Sequence, residues 1–426
     1  MESSTIPRPE DVLNARAALP SDMRSQNLAT IMRVVRTHGP LARVGIVRRT
    51  GISSGTVTKL TAQLVEAGAL VEASPAGTGE HPPTGAPGVL GMRRAGRPQA
   101  PLDLDMHARA VLTVHIGVTR STAGLVDMRG NVITDITVTH TDTDPDHVLR
   151  AAVATMRRLR NSSGRTVVGA GVSTSGTIDH RNGTLLDHPV LPWRNVAVRD
   201  YVARRLDLPV EYDDIVRGVA LAHLAYRHGE EIQHVLNLFV GNVVGSALAV
   251  RQELYRGEAG RAGQITHLPV HGVAGPLCEC GRSDCFQAVA SNVGLLAIGQ
   301  AEGVVSERAS FDDLLDRADE PGVRRLLDRR AEWVGQAVAV LSDFLDPSAV
   351  VLSGNATHAP GYLDVVRATT RRLALGGRAA AERVSLFPFP GDLLSVSTAA
   401  LFLDRYFRDP VAYEPRLAGT DRAVQP

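Results

Sequence analysis

The 426-residue sequence predicts an α/β protein in two parts, a small helical head and a larger body of alternating strands and helices. Three observations lead there. Apolar residues recur at helical spacing before residue 70, a Gly/Pro/Thr-rich stretch covers residues 74–91, and from about Leu102 strand-like runs alternate with helix-like ones. The length suits roughly two to three domains of ~100–200 residues. Hydrophobic residues are 44% and charged residues 21%, and 46 bases against 45 acids leave a net charge of +1, which excludes a disordered or collagen-like chain. No run reaches the ~18 uninterrupted apolar residues of a membrane span. The best, residues 235–250, is broken by Asn237, Gly241, Asn242, Gly245 and Ser246. The first residues carry acids and prolines and no apolar stretch, so no secretory signal is read and a cytoplasmic location is expected.

Residues 1–20 read as a flexible arm. Leu28, Ile31, Met32 and Val35 then share one helical face, ended by His38-Gly39-Pro40. A second helix fits 41–50, with Gly51 as its stop. Ser53 is placed as the N-cap of a third helix, whose Val57, Leu60 and Leu64 lie on one face before Gly68. A strand over 69–72 follows. The stretch 74–91 is too polar to demand order, and Met92-Arg93-Arg94-Ala95-Gly96-Arg97-Pro98 comes after it.

In the body, strands are expected over 110–116, 121–127 and 132–139, the first two joined by a tight turn at Gly117-Val118-Thr119. A helix over 144–160 and a strand over 167–173 complete a β-β-β-α-β set. Strands near 234–240 and 246–252, a helix over 329–345 and a strand over 349–352 imply a second α/β lobe. No repeat with a period of ~20–50 residues is evident.

Charge is uneven. From Asp22 to Gln99 ten bases face four acids, a local net of +6 on an otherwise neutral chain, which points to a polyanion partner for the head unless the arginines merely decorate a surface. Three helices and a β-wing are the arrangement of a winged helix-turn-helix, whose third helix enters the DNA major groove. Ser53, Ser54, Thr56, Thr58 and Lys59, the only lysine in the chain, would stand at that helix's start, where hydroxyls and an ammonium suit phosphates and base edges. Arg94 and Arg97 would reach a narrow minor groove beside the wing. The competing interpretation is a small docking or dimerisation module.

All three cysteines fall in Cys278-Glu279-Cys280-Gly281-Arg282-Ser283-Asp284-Cys285, eleven residues after His267. Three thiolates and an imidazole make a closed tetrahedral set, which suits a structural Zn2+. Gly281 would permit the chain reversal. Three free thiols are the alternative, and they would be oxidisable.

These features together resemble the ROK family of repressors, open reading frames and sugar kinases, in its regulator branch with an N-terminal winged helix. The resemblance runs from about residue 22 to 405. It rests on 51–58, Gly96-Arg97-Pro98, Gly171-Val172-Ser173-Thr174-Ser175-Gly176-Thr177-Ile178-Asp179, Leu191-Pro192-Trp193-Arg194-Asn195, Leu208-Pro209-Val210-Glu211-Tyr212-Asp213-Asp214, Ala262-Gly263-Gln264-Ile265-Thr266-His267 and the cysteine cluster. It implies a two-lobed, actin-like or hexokinase-like body of ribonuclease-H-like lobes around a sugar cleft, assembled as a homodimer or homotetramer. The expected divisions are head 21–73, wing and linker 74–101, first lobe 102–222 with a helix near 393–410 returning to it, second lobe with the zinc loop 223–392, and tail 411–426.

The resemblance also implies roles, residue by residue. Kinase members carry Asp-x-Gly-x-Thr at the first strand turn, where the carboxylate orients metal and phosphates. Here the segment is His115-Ile116-Gly117-Val118-Thr119, so that station is damaged. Asp214 matches the general base but is expected to serve as a hydrogen-bond acceptor, so no catalytic residue is assigned. The effector site is expected at Gly176, Asp213, Asp214, Gln264, His267 and Gln287, with two acids where the family has three. Gln264, Thr266 and Gln287 stand where the family carries Glu, Gly and Glu, and such swaps change which hydroxyls are satisfied. The expectation is a non-enzymatic DNA-binding regulator of carbohydrate genes, a repressor, responding to a sugar or sugar-phosphate effector. An ATP-dependent sugar kinase with a DNA-binding appendage, and a regulator answering to a docked partner protein, are the competing readings.

Overall fold

The computed structural model describes residues 20–73, 100–188, 190–226, 233–251, 253–387 and 393–417. The arm, Arg94, Arg97 and most of the linker lie outside them. Two compact units result: residues 1–105 with 405–426, and residues 106–404.

The first unit holds α1 (Pro20–His38), α2 (Arg43–Thr50) and α3 (Ser54–Glu66). Leu28, Ile31, Met32, Val35, Val57, Leu60 and Leu64 are buried, as helical spacing requires. α2 begins two residues later than expected because Leu41 exchanges backbone hydrogen bonds with Leu102. Gly51 closes α2 at φ +71°, and Ser53 caps α3 by accepting from the Thr56 N–H. The strand β1 (Leu70–Glu72) pairs antiparallel with β2 (Leu102–Leu104), Leu70 opposite Leu104. Residues 102–104, expected to open the first lobe, therefore form the wing's return strand. Residues 411–417 are not a tail either: Leu417 is buried and Tyr406 donates to Glu414 at 2.7 Å.

The second unit begins with β3 (Arg109–Ile116), β4 (Arg120–Val126), β5 (Val132–Thr139), α4 (Pro145–Ser162) and β6 (Thr166–Thr174). A small sheet of β7 (Thr177–Asp179), β8 (Thr184–Asp187) and β9 (Arg194–Val196) precedes α5 (Val198–Leu206), β10 (Val210–Asp214) and α6 (Ile215–Tyr226). The five-stranded sheet has the order β10-β6-β3-β4-β5, parallel on one side of β3 and antiparallel on the other. Every residue of the central β3 is buried, whereas the edge strand β5 has no buried residue.

The second lobe repeats the plan. β11 (His234–Val240), β12 (Val244–Val250) and β13 (Glu253–Tyr255) are followed by α7 (Phe286–Ala290), α8 (Asn292–Ala301), α9 (Phe311–Asp316) and α10 (Pro321–Leu345). Then come β14 (Ala349–Ser353), α11 (Tyr362–Leu373), α12 (Gly377–Glu382) and β15 (Val384–Leu386), in a sheet ordered β13-β12-β11-β14-β15. Numbered within each lobe, both sheets run 3-2-1-4-5. α13 (Leu393–Arg408) returns to the first lobe, and α14 (Pro410–Tyr413) follows it. The backbone of α13 lies so close to β6 that a Cβ on Gly171 would sit 2.2 Å from the Thr398 carbonyl oxygen. Glycine is what lets this helix seat on the sheet.

Candidate functional site

Strand ends build the cleft of the second unit. Ser175-Gly176-Thr177 follows β6, Asp214 ends β10, and residues 263–267 close over them, leaving a cavity of about 320 Å³. Gly176 holds φ +126°, and a Cβ there would lie 2.5 Å from the Asp187 carbonyl oxygen. Asp214 accepts from the Val216 N–H at 2.7 Å and the Gly176 N–H at 3.2 Å. Burial lifts its carboxyl to about 6 against the pull of Arg217. Gln264 donates to the Thr177 hydroxyl at 2.7 Å.

Four of the six expected effector residues, Gly176, Asp214, Gln264 and His267, line this cavity. Asp213 does not. It is buried and bound by Arg217 at 2.7 Å and Arg256 at 3.1 Å, because strand alternation turns it away from the face that Asp214 occupies. Gln287 is also absent from the lining: it accepts from the Val244 N–H at 2.8 Å and donates to the Asn242 carbonyl at 3.3 Å, so it braces the β11–β12 turn. Asp187 and Glu279 stand in the wall instead, which makes three carboxylates with Asp214, not two. Sequence reading passed them over because neither belongs to a motif; Glu279 is only the spacer between two cysteines.

A second cavity of about 420 Å³ shares Ser175 and Val243 with the first. The turn 117–119 and the segments 241–243 and 353–355 line it, with His115 at the end of β3. His115 pairs with the Ser173 hydroxyl at 3.0 Å, and burial, aided by His188, lowers it to about 4. It is a neutral imidazole at the position where the resemblance led to the expectation of a damaged metal–phosphate station.

Beside the cleft, His267, Cys278, Cys280 and Cys285 bring one ligand atom each within 4.8 Å of one another. Cys278 Sγ is 3.5 Å from His267 Nδ1 and Cys280 Sγ is 3.3 Å from Cys285 Sγ, close to the ~3.8 Å edge implied by a tetrahedron with ~2.3 Å metal–sulfur bonds. Gly281, at φ +84°, makes the turn in which Cys278 N–H bonds the Arg282 carbonyl. Thr266 and Gln287 share a backbone hydrogen bond of 3.0 Å, tying the cluster to the cleft loop. These four residues can hold a metal ion.

In the first unit, Ser53, Ser54, Thr58 and Lys59 are exposed and Thr56 is half-buried. The Ser53 and Thr56 hydroxyls bond each other at 2.8 Å, and the Thr58 hydroxyl donates to the Ser54 carbonyl at 2.9 Å. Ser54 and Lys59 are thus the least committed of the set. A Cβ on Gly55 would meet nothing within 4 Å, so the start of α3 is open to a partner.

Comparison with known proteins places this architecture. A transcriptional regulator of Mycobacterium tuberculosis is 27% identical over 413 residues, covering 93% of this chain and 89% of its own. A xylose repressor of Caldicellulosiruptor bescii is 23% identical over 352 residues, 79% of this chain and 84% of its own. Glucokinases are relatives as well. The crystal structure of a ROK family transcriptional regulator, a homologue of the E. coli MLC protein, superposes with a TM-score of 0.75 at 17% identity, covering 93% of this chain and all of that one. The fold is therefore a winged helix-turn-helix followed by a two-lobed ROK body. The family model itself matches residues 111–387, and the chain belongs to the ROK family.

Proposed function

We propose that this chain is a DNA-binding transcription regulator, acting as a cytoplasmic repressor of carbohydrate genes, whose DNA affinity changes when a sugar or sugar-derived effector occupies the first cavity. The observation that carries the proposal is the open start of α3, with Ser54 and Lys59 exposed, in a chain that also holds a carboxylate-lined cleft. A ligand that prefers one arrangement of the lobes shifts the equilibrium between arrangements, and paired recognition helices tolerate little change of spacing. Ser53, Thr56 and Thr58 support the helix start, and Arg94 and Arg97 would contact DNA beside the wing.

Asp214, Gln264 and His267 supply acceptors and donors for sugar hydroxyls beside the tight turn at Gly176. Zn2+ fits the His267, Cys278, Cys280 and Cys285 donor set and would clamp the loop that carries His267. A homodimer or homotetramer is supported by exposed apolar side chains at the end of α10 and in the turn after α11: Phe344 is 83% exposed and Leu375 92%, with Val340 and Leu373 near them in sequence. The protein is read as non-enzymatic because His115 stands where phosphotransfer needs a carboxylate. Sugar phosphorylation is the second reading, favoured by Asp214 at the general-base position.

In vitro selection of bound duplexes, followed by fluorescence anisotropy of the selected site, tests the proposal. Lys59→Ala should weaken binding to every duplex and lower the salt slope by about one. A hexose should shift the wild-type isotherm. Unchanged binding by the variant contradicts the placement of the reading helix. ATP turnover of a hexose that is lost in Asp214→Asn would establish the kinase reading instead.

A further inference from the structure

The thiols of the cluster are unequally placed. Cys285 is fully buried at the N-cap of α7; its backbone bridges Pro269, and the Phe286 N–H behind it donates to the Leu268 carbonyl at 2.8 Å. Cys280 is exposed beside the turn that Gly281 makes, and a Cβ on Gly281 would meet nothing within 4 Å. One sulfur is thus fixed in the body while the other stands at the surface. Their Sγ atoms are 3.3 Å apart. A disulfide sets two sulfurs about 2.05 Å apart, so a movement of roughly 1 Å by the turn that carries Cys280 closes the gap. Cys278 is placed otherwise: its Sγ faces His267 Nδ1 at 3.5 Å, and one residue alone separates it from Cys280, too short a span for an unstrained disulfide. That one residue is Glu279, which lines the first cavity together with His267. A shift of the turn therefore reaches the cavity wall.

We propose that Cys280 and Cys285 are a modification site, forming a reversible disulfide on exposure to a peroxide, and that this bond and the metal compete for the same sulfurs. The exposed Cys280 thiolate attacks one peroxide oxygen; the O–O bond breaks, hydroxide leaves, and Cys280 becomes a sulfenic acid. The Cys285 sulfur then attacks the Cys280 sulfur, and the sulfenic hydroxyl departs with the Cys285 proton as water. In sum two thiols give up two electrons and two protons, and one hydrogen peroxide takes them to become two waters. A dithiol reductant reverses the change.

A structural Zn2+ is closed by four ligands. The disulfide withdraws two of them, and His267 with Cys278 does not complete a tetrahedron, so oxidation discharges the ion. This consequence rests on the metal reading; the disulfide itself needs only the two sulfurs.

Peptide mapping of the full chain after hydrogen peroxide, with EDTA throughout and the free thiols then alkylated, tests the disulfide. Trypsin cuts after Arg282, so the bond should join the peptide that carries Cys278 and Cys280 to the one that carries Cys285, with Cys278 alkylated. Dithiothreitol should restore all three thiols. Cys285→Ser should stop at a sulfenic acid on Cys280, captured by dimedone, and Cys280→Ser should consume peroxide at least ten-fold more slowly than the parent. If either variant does not fold, the map of the parent decides alone. Three free thiols after peroxide, a disulfide that includes Cys278, or one that joins two chains would overturn the proposal. In a parallel sample loaded with Zn2+, a metallochromic dye should report release of the ion as the disulfide forms, and a disulfide formed with Zn2+ retained overturns the competition. A parent that takes up no Zn2+ and still forms the disulfide removes the metal reading alone.

Discussion

The two cavities of the cleft share Ser175 and Val243, yet they offer opposite chemistry. The first presents Asp187, Asp214 and Glu279; the second presents Arg120, two imidazoles and amide donors. Both are built where strands end, so one residue at a strand terminus changes the ligand class without disturbing the sheet. Asp214 at the end of β10 keeps an acceptor in the first cavity. His115 near the end of β3 places an imidazole at the second, while the alternating apolar residues of β3 remain buried.

Asp213→Ala tests most strongly where the first cavity ends. If Asp213 is structural, its loss strands two cations, Arg217 and Arg256, and denaturant unfolding should show a loss of about 3–5 kcal/mol. A loss under about 1 kcal/mol, together with lost hexose binding, would return Asp213 to the ligand. The proposed metal site comes next. If the four residues hold a metal, elemental analysis should find one equivalent in the parent and none in Cys285→Ser, and hexose binding should weaken about ten-fold or more, in line with the effect of disturbing groups that orient a site.

Acidification separates the cavities further. With its carboxyl raised to about 6, Asp214 is an ionised acceptor above that pH and takes up a proton below it. Hexose affinity should hold above pH 7 and fall about ten-fold per unit below pH 6 if the ionised form alone binds, and Asp214→Asn should flatten the profile. The stability sign is fixed too: the folded chain holds this proton more tightly than the unfolded one, so this group's contribution to stability declines as pH rises from about 4 to about 6. The smallest effect belongs to Gln264→Ala, which removes one neutral hydrogen bond and should cost about 0.5–1.5 kcal/mol of hexose binding, measured by titration.

Much of this was legible in the residues. Gly51 and Ser53 punctuated the head because an αL stop and a hydroxyl cap leave local signatures, and the cysteine spacing located its cluster with His267. What local pattern could not reveal was pairing at a distance. Leu102-Asp103-Leu104 is too short to announce which sheet it joins, and it closes the wing across more than twenty intervening residues. The 3-2-1-4-5 order recurs in both lobes without a short sequence period, since it depends on hydrogen-bond partners and not on residue identity. Asp213 and Asp214 were read as a pair, and the pleat parts them. The relay of Arg330 and Asn292 to Asn242 and Asn355 joins four separate segments, and neither Arg330 nor Asn292 stands in a motif.

His267 carries a consequence beyond its place in the cluster. Its Nδ1 lies toward Cys278, and its Nε2 lies 4.0 Å from Glu279 at the cavity wall. Any ion seated on the thiols and Nδ1 leaves the ring's only proton on Nε2, so the imidazole then faces the cavity as a donor and not as an acceptor. An atom that never enters the pocket would thereby choose which end of a hydroxyl that wall greets.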